Sequence, residues 1–334
     1  MKASQIYDAL THFAKEKLPA FIWGPPGIGK SSIVKQIAKD HDYEFIDLRL
    51  SLLDPTDLKG IPFFDKDNLQ AVWASPNFLP KDPNSKGILF LDEINTAAPS
   101  VQASAYQLVL DRKVGDYELP EGWSIIAAGN RENDRGVTYR MPPPLANRFV
   151  HLEMAVDFED WKRWAYQNGI NPAVIGYLSF DKSKLFDFDP TRNEHSFPTP
   201  RSWEYVHKIL HSGVSEALLH EAIAGAIGKE NSVDFLAFRK VMHQLPDIEA
   251  IVKGEIKEIE EDDTKVLFAL CAGLVNRLKQ SSDKAEIDHV LAFSLSLPPE
   301  FAIMLVKDMQ KNAIHVENAP HWDAWVQKFS YLLA

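Results

Sequence analysis

Through the first half of the chain, short apolar runs bounded by turn residues recur at 20–23, 44–49, 87–92, 123–128 and 149–154. Runs this short, flanked by Gly, Pro, Asp and Asn, predict buried strands. Helical periodicity fills most of the gaps between them, and strand alternating with helix is the pattern of an α/β layer on a parallel sheet. Such sheets bind ligands beyond the carboxyl ends of their strands, so chemistry is expected there. Two stretches break the alternation. Residues 51–86 contain a hairpin pattern, PFFDKDNLQAVW at 62–73, with Asp65 to Asn68 at its turn, and residues 111–122, DRKVGDYELPEG, are also hairpin-like. Loops of this length inside a compact domain are usually functional.

Beyond about residue 155 the strand signals fade. Helical patterns over 158–168, 201–212 and 215–227 stop at Gly169, Gly213 and Gly228, and further helices are predicted over 264–278 and in the tail 298–334. The opening segment, MKASQIYDALTHFAKEKL, reads as an amphipathic helix with Ser4 as its N-cap and not as a signal peptide. The expected division is an α/β core with a five-stranded parallel sheet over 1–155, carrying inserts at about 51–86 and 111–122. An α-helical region over 156–254 and a C-terminal helical region over 255–334 follow.

Composition adds mainly exclusions. With 45% hydrophobic and 25% charged residues among 334, the chain reads as an ordinary globular protein. No apolar run approaches the roughly 18 residues that suggest a membrane span, so a cytoplasmic location without membrane association is expected. Cys271 is the one cysteine, which rules out an intrachain disulfide or a cysteine-rich zinc site and reads as a core filler. A formal charge of −11 and the lack of a basic stripe argue against a nucleic-acid partner. The densest charge run, EIKEIEEDD at 255–263, reads as a solvated linker.

The chemistry concentrates at the strand ends. WGPPGIGKS, from Trp23 to Ser31, fits G-x-x-x-x-G-K-[ST] with a strand before it and a helix after it. The loop Gly24, Pro25, Pro26, Gly27, Ile28, Gly29, Lys30, Ser31 and Ser32, through the backbone N–H groups of its non-proline residues and the positive end of the following helix, makes a cradle for nucleotide phosphates. Lys30 is placed for the β and γ phosphates and Ser31 for Mg²⁺. GILFLDE ends the third strand in two carboxylates, Asp92 for the metal and Glu93 to polarise the attacking water. The fourth strand runs into Asn130, whose amide can orient water between Glu93 and the γ-phosphate. Arg148, before the fifth strand, is either a surface arginine or a finger reaching a γ-phosphate across a subunit boundary, with Arg131, Arg135 and Arg140 crowding the same region. In FPTPRSW, Thr199 as N-cap and Pro200 at the first helical position put Arg201 in a first turn, against the helix dipole unless a phosphate relieves it.

This set, Gly24 to Ser31, Asp92-Glu93, Asn130, Arg148 and Arg201, resembles that of the AAA+ ATPases: Walker A, Walker B, sensor 1, arginine finger and sensor 2. The odd stretches 51–86 and 111–122 fall where the MoxR-type, dynein-related branch carries its insertions. The resemblance covers roughly residues 1–230. It implies a P-loop NTPase core binding ATP and Mg²⁺, with an α-helical lid over 156–254 that carries Arg201. It also implies a homo-oligomeric ring, a hexamer, in which Arg148 acts in trans. For that branch the expected work is remodelling of a protein client beside a partner with a von Willebrand factor A domain. The finger segment ANRF departs from the more usual acidic residue before the arginine, and the last hundred residues match no pattern. Phe63 and Phe64 are placed either to line a ring pore or to pack the hairpin. Two other classes use the same core, a nucleic-acid motor and a nucleotide-dependent scaffold that does not hydrolyse; Glu93 and Asn130 argue against the latter.

Overall fold

A computed structural model describes residues 1–131, 134, 139–192, 194–281 and 283–330. The chain divides into two compact units, Met1–Asp157 with Asp189–Arg192, and Phe158–Phe188 with Asn193–Ala334.

In the first unit the elements run α1 (Ala3–Glu16), β1 (Ala20–Trp23), α2 (Lys30–Asp40), β2 (Glu44–Arg49), α3 (Pro55–Lys59), β3 (Ile61–Asp65), β4 (Gln70–Ala74), β5 (Gly87–Asp92). Then follow α4 (Pro99–Asp111), β6 (Lys113–Val114), β7 (Tyr117–Glu118), β8 (Trp123–Gly129), α5 (Pro143–Ala146) and β9 (Val150–Glu153). Five strands pair in parallel, as the alternating pattern predicted, and their order is β2-β5-β8-β1-β9. The central strands β5 and β8 are buried along almost their whole length, which is why they read as unbroken apolar runs rather than alternating ones. One sheet face, with Phe21, Leu89, Leu91, Ile125 and Ala127, shares a core with Val101, Ala105 and Leu108 of α4. The other carries α1 and α2, with Ser124 Oγ donating to the Ala14 carbonyl at 2.6 Å.

The N-cap of α1 is Lys2, not Ser4, which lies inside the first turn. The Lys2 N–H donates to Gln5 Oε1 at 3.1 Å, so a glutamine three residues on satisfies the N-cap's own backbone donor.

Both stretches that broke the alternation form antiparallel hairpins, β3 with β4 and β6 with β7. They are joined to each other: the Trp73 N–H donates to Asp116 Oδ2 at 2.7 Å, and a Cβ at Gly115 would stand 3.4 Å from the Trp73 side chain. The first hairpin leaves Ile61, Phe63, Phe64 and Leu69 more than half exposed, so neither phenylalanine packs the hairpin.

The second unit is helical: α6 (Phe158–Gln167), α7 (Pro172–Phe180), α8 (Pro200–His211), α9 (Glu216–Ile227), α10 (Lys229–Val241), α11 (Ile248–Val252), α12 (Thr264–Leu278), α13 (Lys284–Ser294), α14 (Pro299–Lys311) and α15 (Trp322–Phe329). Asn171, Asp247, Asp263 and Asp283 cap α7, α11, α12 and α13 through their side chains. Part of the acidic excess therefore closes helix ends, where negative charge is favourable. Tyr177, Trp203, Phe235 and Phe238 form an aromatic cluster with ring centroids 5.5–5.6 Å apart, and the Trp203 indole donates to the Lys184 carbonyl at 2.8 Å. Lys162 on α6 and Asp308 on α14 form a buried ion pair. Cys271 is buried in α12, and burial pushes its thiol up to about 12.

Helices α7 and α12 meet where Gly176 removes a side chain. A Cβ there would lie 3.1 Å from Ala269 Cα and 3.4 Å from Phe238 Cζ, whereas one at Gly225 in α9 would meet nothing within 4 Å. Gly176→Ala is expected to lower stability by about 1–3 kcal/mol despite alanine's better helix propensity. Gly225→Ala is expected to raise it by about 0.5–1 kcal/mol. Urea unfolding followed by circular dichroism separates the two, and a gain for both would refute the close-packing account of Gly176.

Candidate active site

The phosphate loop lies between β1 and α2 as its motif requires. Gly27 and Gly29 have φ of 76° and 98°, conformations that side chains strain to adopt, and Gly29 is the N-cap of α2. Gly24 is glycine for a different reason. A Cβ there would stand 2.7 Å from Ile28 Cδ1 and 3.1 Å from the Met154 carbonyl, so the loop would open.

Lys30 opens α2 and its ammonium folds back over the loop, donating to the carbonyls of Gly24 at 2.6 Å and Pro25 at 2.9 Å. A third bond, 3.1 Å long, goes to Asn130 Oδ1 at the end of β8. Two residues a hundred positions apart are thereby brought together, because β8 is the direct neighbour of β1 in the sheet. Ser31 follows in the first turn of α2, half-buried, and Ser32 is exposed.

On the far side of β8, β5 ends in Asp92 and Glu93. The Asp92 carboxyl is held above the usual carboxylate range, first by burial and then by Asp47, although the Glu93 N–H and Lys30 draw it down. Asp47 on β2 is likewise raised, mainly by burial. Carboxylates are thus crowded there, with Lys30 acting on Asp92 and Arg49 and Lys35 on Asp47. Glu93 has φ of 57°, a left-handed conformation uncommon outside glycine and characteristic of functional turns. It is fixed by Ser51 Oγ, which donates to its Oε2, and by its own carbonyl, which accepts from Thr96 N and Thr96 Oγ1 at 3.0 and 2.8 Å.

Asn95, Ser51 and Asp47 were not among the residues singled out from sequence. Asn95 is buried, and its Nδ2 donates to the Asn130 carbonyl at 2.7 Å, so it joins the turn after β5 to the end of β8. A Cβ at Gly129 would come within 2.2 Å of Asn95 Oδ1, which explains the glycine before Asn130. No spacing rule exposes such residues, since their partners are far off in sequence.

The arginines separate. Arg131 is half-buried and its Nη2 donates to the Met154 carbonyl at 3.3 Å, so it serves its own chain. Arg135 lies outside the described residues. Arg140 and Arg148 are exposed, and among the described residues their guanidinium groups have no hydrogen-bond or ion-pair partner. Arg148 sits immediately after α5, on the turn that leads into β9. Arg201 belongs to the second unit, exposed in the first turn of α8, where the Thr199 hydroxyl accepts from the Ser202 N–H at 3.0 Å.

Nucleotide and Mg²⁺ fit these residues. Two positive-φ glycines, a helix N-terminus and an ammonium converge on one loop, and the crowded carboxylates beside it favour a divalent cation. Among the described residues no three His, Cys, Asp or Glu side chains are placed to chelate a metal alone. Mg²⁺ usually takes one or two protein ligands and fills its shell with phosphate oxygens and water.

Residues 20–151 match the family model described as "ATPase family associated with various cellular activities (AAA)". Lon protease of Fervidobacterium nodosum is 29% identical over 192 residues, 53% of this chain and 22% of that one. Replication factor C large subunit of Ignicoccus hospitalis is 29% identical over 97 residues, 29% of this chain and 18% of its own. The chain therefore spans about a fifth of the length of the curated relatives it matches. Among solved structures it is similar to the Thermotoga maritima RuvB Holliday junction branch migration motor, with 18% identity, 81% of this chain and 80% of that one covered, and a TM-score of 0.38. It is also similar to NtrX from Brucella abortus in complex with ATP, with 13% identity, 93% and 68% covered, and a TM-score of 0.41. These structural likenesses are distant; the matched segment and the motifs inside it are what decide. The match runs from the strand before the phosphate loop to the strand after Arg148, and this segment is accordingly similar to the ATPase core of the AAA family.

Proposed function

We propose that this protein is an ATP-hydrolysing ring motor of the MoxR-type branch. In this reading it remodels a protein client together with a partner bearing a von Willebrand factor A domain. The observation that carries the ring is the contrast between the groups at one end of the sheet and Arg148. Lys30 and Asn130 are bonded to each other, and Asp92 and Glu93 end the next strand, while Arg148 stands exposed with no partner among the described residues. An arginine so placed suits a phosphate bound by a second copy of the chain, where such fingers are worth about 10³ to 10⁵ in rate. Support for the branch comes from the two hairpins at the predicted insert positions, joined through Trp73 and Asp116, with Phe63 and Phe64 exposed for a pore. The helical lid over 156–254, with Arg201 as sensor 2, belongs to the same reading.

Each residue then has one task. Lys30 binds the β and γ phosphates, Ser31 and Asp92 hold Mg²⁺, Glu93 accepts a proton from water, and Asn130 orients that water. Mg²⁺, when bound, supplies neutralisation of phosphate charge. The nucleic-acid motor remains the alternative, since two of the similar proteins are named for replication and branch migration; a charge of −11 weighs against it.

Glu93→Gln is expected to bind ATP but release phosphate at least about 100-fold more slowly, in the range general-base removal brings. Unchanged release would exclude Glu93 as the base. Under ATP the Glu93→Gln protein should sediment as a ring, and a monomer would sink the ring and the trans role of Arg148 together. The crowding at Asp92 predicts a trade of stability against function. Its folded-state pKa is raised, so the ionised form costs stability at neutral pH and that cost disappears as the pH falls through the raised value. Asp92→Asn should therefore melt above the wild type at pH 7, with the gap closing on acidification, while ATPase activity is lost; a lower melting temperature at pH 7 would contradict this.

A further inference from the structure

One histidine outside the assigned machinery connects both of its parts. His151 lies on β9, in register with Phe21 of β1, and its ring is exposed. Trp23 Nε1 stands 2.9 Å from His151 Nδ1, and His151 Nε2 stands 2.8 Å from the Ala146 carbonyl. An indole N–H only donates, so Nδ1 must be the acceptor. The proton then sits on Nε2 and is donated to the carbonyl. Both ring nitrogens of a neutral imidazole are thereby used.

The two partners make this contact more than a surface tie. Trp23 is the residue directly before Gly24 of the phosphate loop, while Ala146 ends α5 two residues before Arg148. The Ala146 carbonyl also accepts from Phe149 N at 3.2 Å, so both of its lone pairs are engaged and the turn carrying Arg148 is held from within and from His151. Ring packing runs the same way. Phe21 lies 4.2 Å from Trp23 and 5.6 Å from Phe149 between centroids, and Trp23 stacks on His151 at 6.0 Å with 23° between planes.

We propose that His151 is a positioning residue that couples the chain's own phosphate loop to the arginine turn it presents to a neighbouring copy. Movement of Trp23 when phosphates enter the loop is passed through one imidazole to the Ala146 carbonyl and so to Arg148. The occupied state of one site thereby sets the placement of the finger acting on the next. The consequence for the neighbour rests on the trans role of Arg148 proposed above; the coupling within one chain does not.

The test uses the full chain in the Glu93→Gln background, with His151→Phe, which keeps an aromatic ring, and separately Trp23→Phe, which removes the indole N–H from the other side. Hydrogen–deuterium exchange is followed over 24–40 and 143–149 with and without ATP and Mg²⁺. The parent should respond in both segments, whereas each variant should respond over 24–40 and lose the response over 143–149. A parent silent over 143–149, or variants that respond there like the parent, would overturn the coupling. A second measurement mixes Glu93→Gln subunits, which bind ATP without hydrolysing it and donate the finger, with Arg148→Ala subunits, which bind and hydrolyse ATP. His151→Phe placed in the Glu93→Gln subunit should cut the recovered ATPase rate roughly 10- to 100-fold, as a misplaced catalytic group does, and leave it unchanged in the Arg148→Ala subunit. Equal loss in both placements would reduce His151 to a structural residue. No recovery in the parent mixture would overturn the trans reading of Arg148 alone, with the exchange result still deciding the coupling.

Discussion

The insertion of β8 between β5 and β1 is the constraint on which the site depends. Parallel pairing aligns the carboxyl ends of all five strands, but only this order sets the strand that ends at Asn130 between the phosphate loop and the Asp92-Glu93 pair. The amide then meets Lys30 on one side, and Asn95 reaches its backbone from the other. Were β1 and β5 direct neighbours, there would be no polar side chain between ammonium and carboxylates. The burial of β5 and β8 holds that spacing, since shifting either strand would expose apolar side chains along its length.

How much of this was legible in the sequence depends on distance along the chain. WGPPGIGKS and GILFLDE could be read because each is a contiguous strand end whose backbone geometry is dictated locally. The five strands, the helical second half and both hairpins were legible for the same reason. Strand order was not, since nothing local in β8 says which strands flank it. Asn95, Ser51 and His151 escaped because each acts through a partner brought close by the fold, and Arg131 could be told from Arg148 only once its bond to the Met154 carbonyl was seen. The misplaced cap of α1 has a smaller cause. Ser4 has the right chemistry for a cap, but Gln5 already closes the turn from Lys2.

Several site features run against the stability of the fold. Glu93 occupies a left-handed conformation, the carboxylates of Asp92 and Asp47 crowd each other, and Gly27 and Gly29 loosen the unfolded chain. At the site itself Ser51 and Thr96 hold Glu93, and Lys30 and the Glu93 N–H favour the Asp92 carboxylate. The remaining compensation lies in the sheet beneath, where Phe21, Leu89, Leu91, Ile125 and Ala127 are buried against α4. The same division holds in the helical unit. Lys162 and Asp308 are buried as an ion pair within an otherwise apolar packing, and removing either partner would leave a bare charge inside.

Cys271, packed inside α12, has a practical corollary. Its thiol is shielded and pushed up to about 12, so it forms almost no thiolate at neutral pH, although it is the chain's one cysteine, and slow labelling by maleimides is expected. The native sequence thus already behaves as a cysteine-free background. A cysteine placed at Phe64 on the hairpin, or at another exposed position, becomes the sole reactive handle for a fluorophore or spin label, and the motions of the working molecule can be watched without first rebuilding its core.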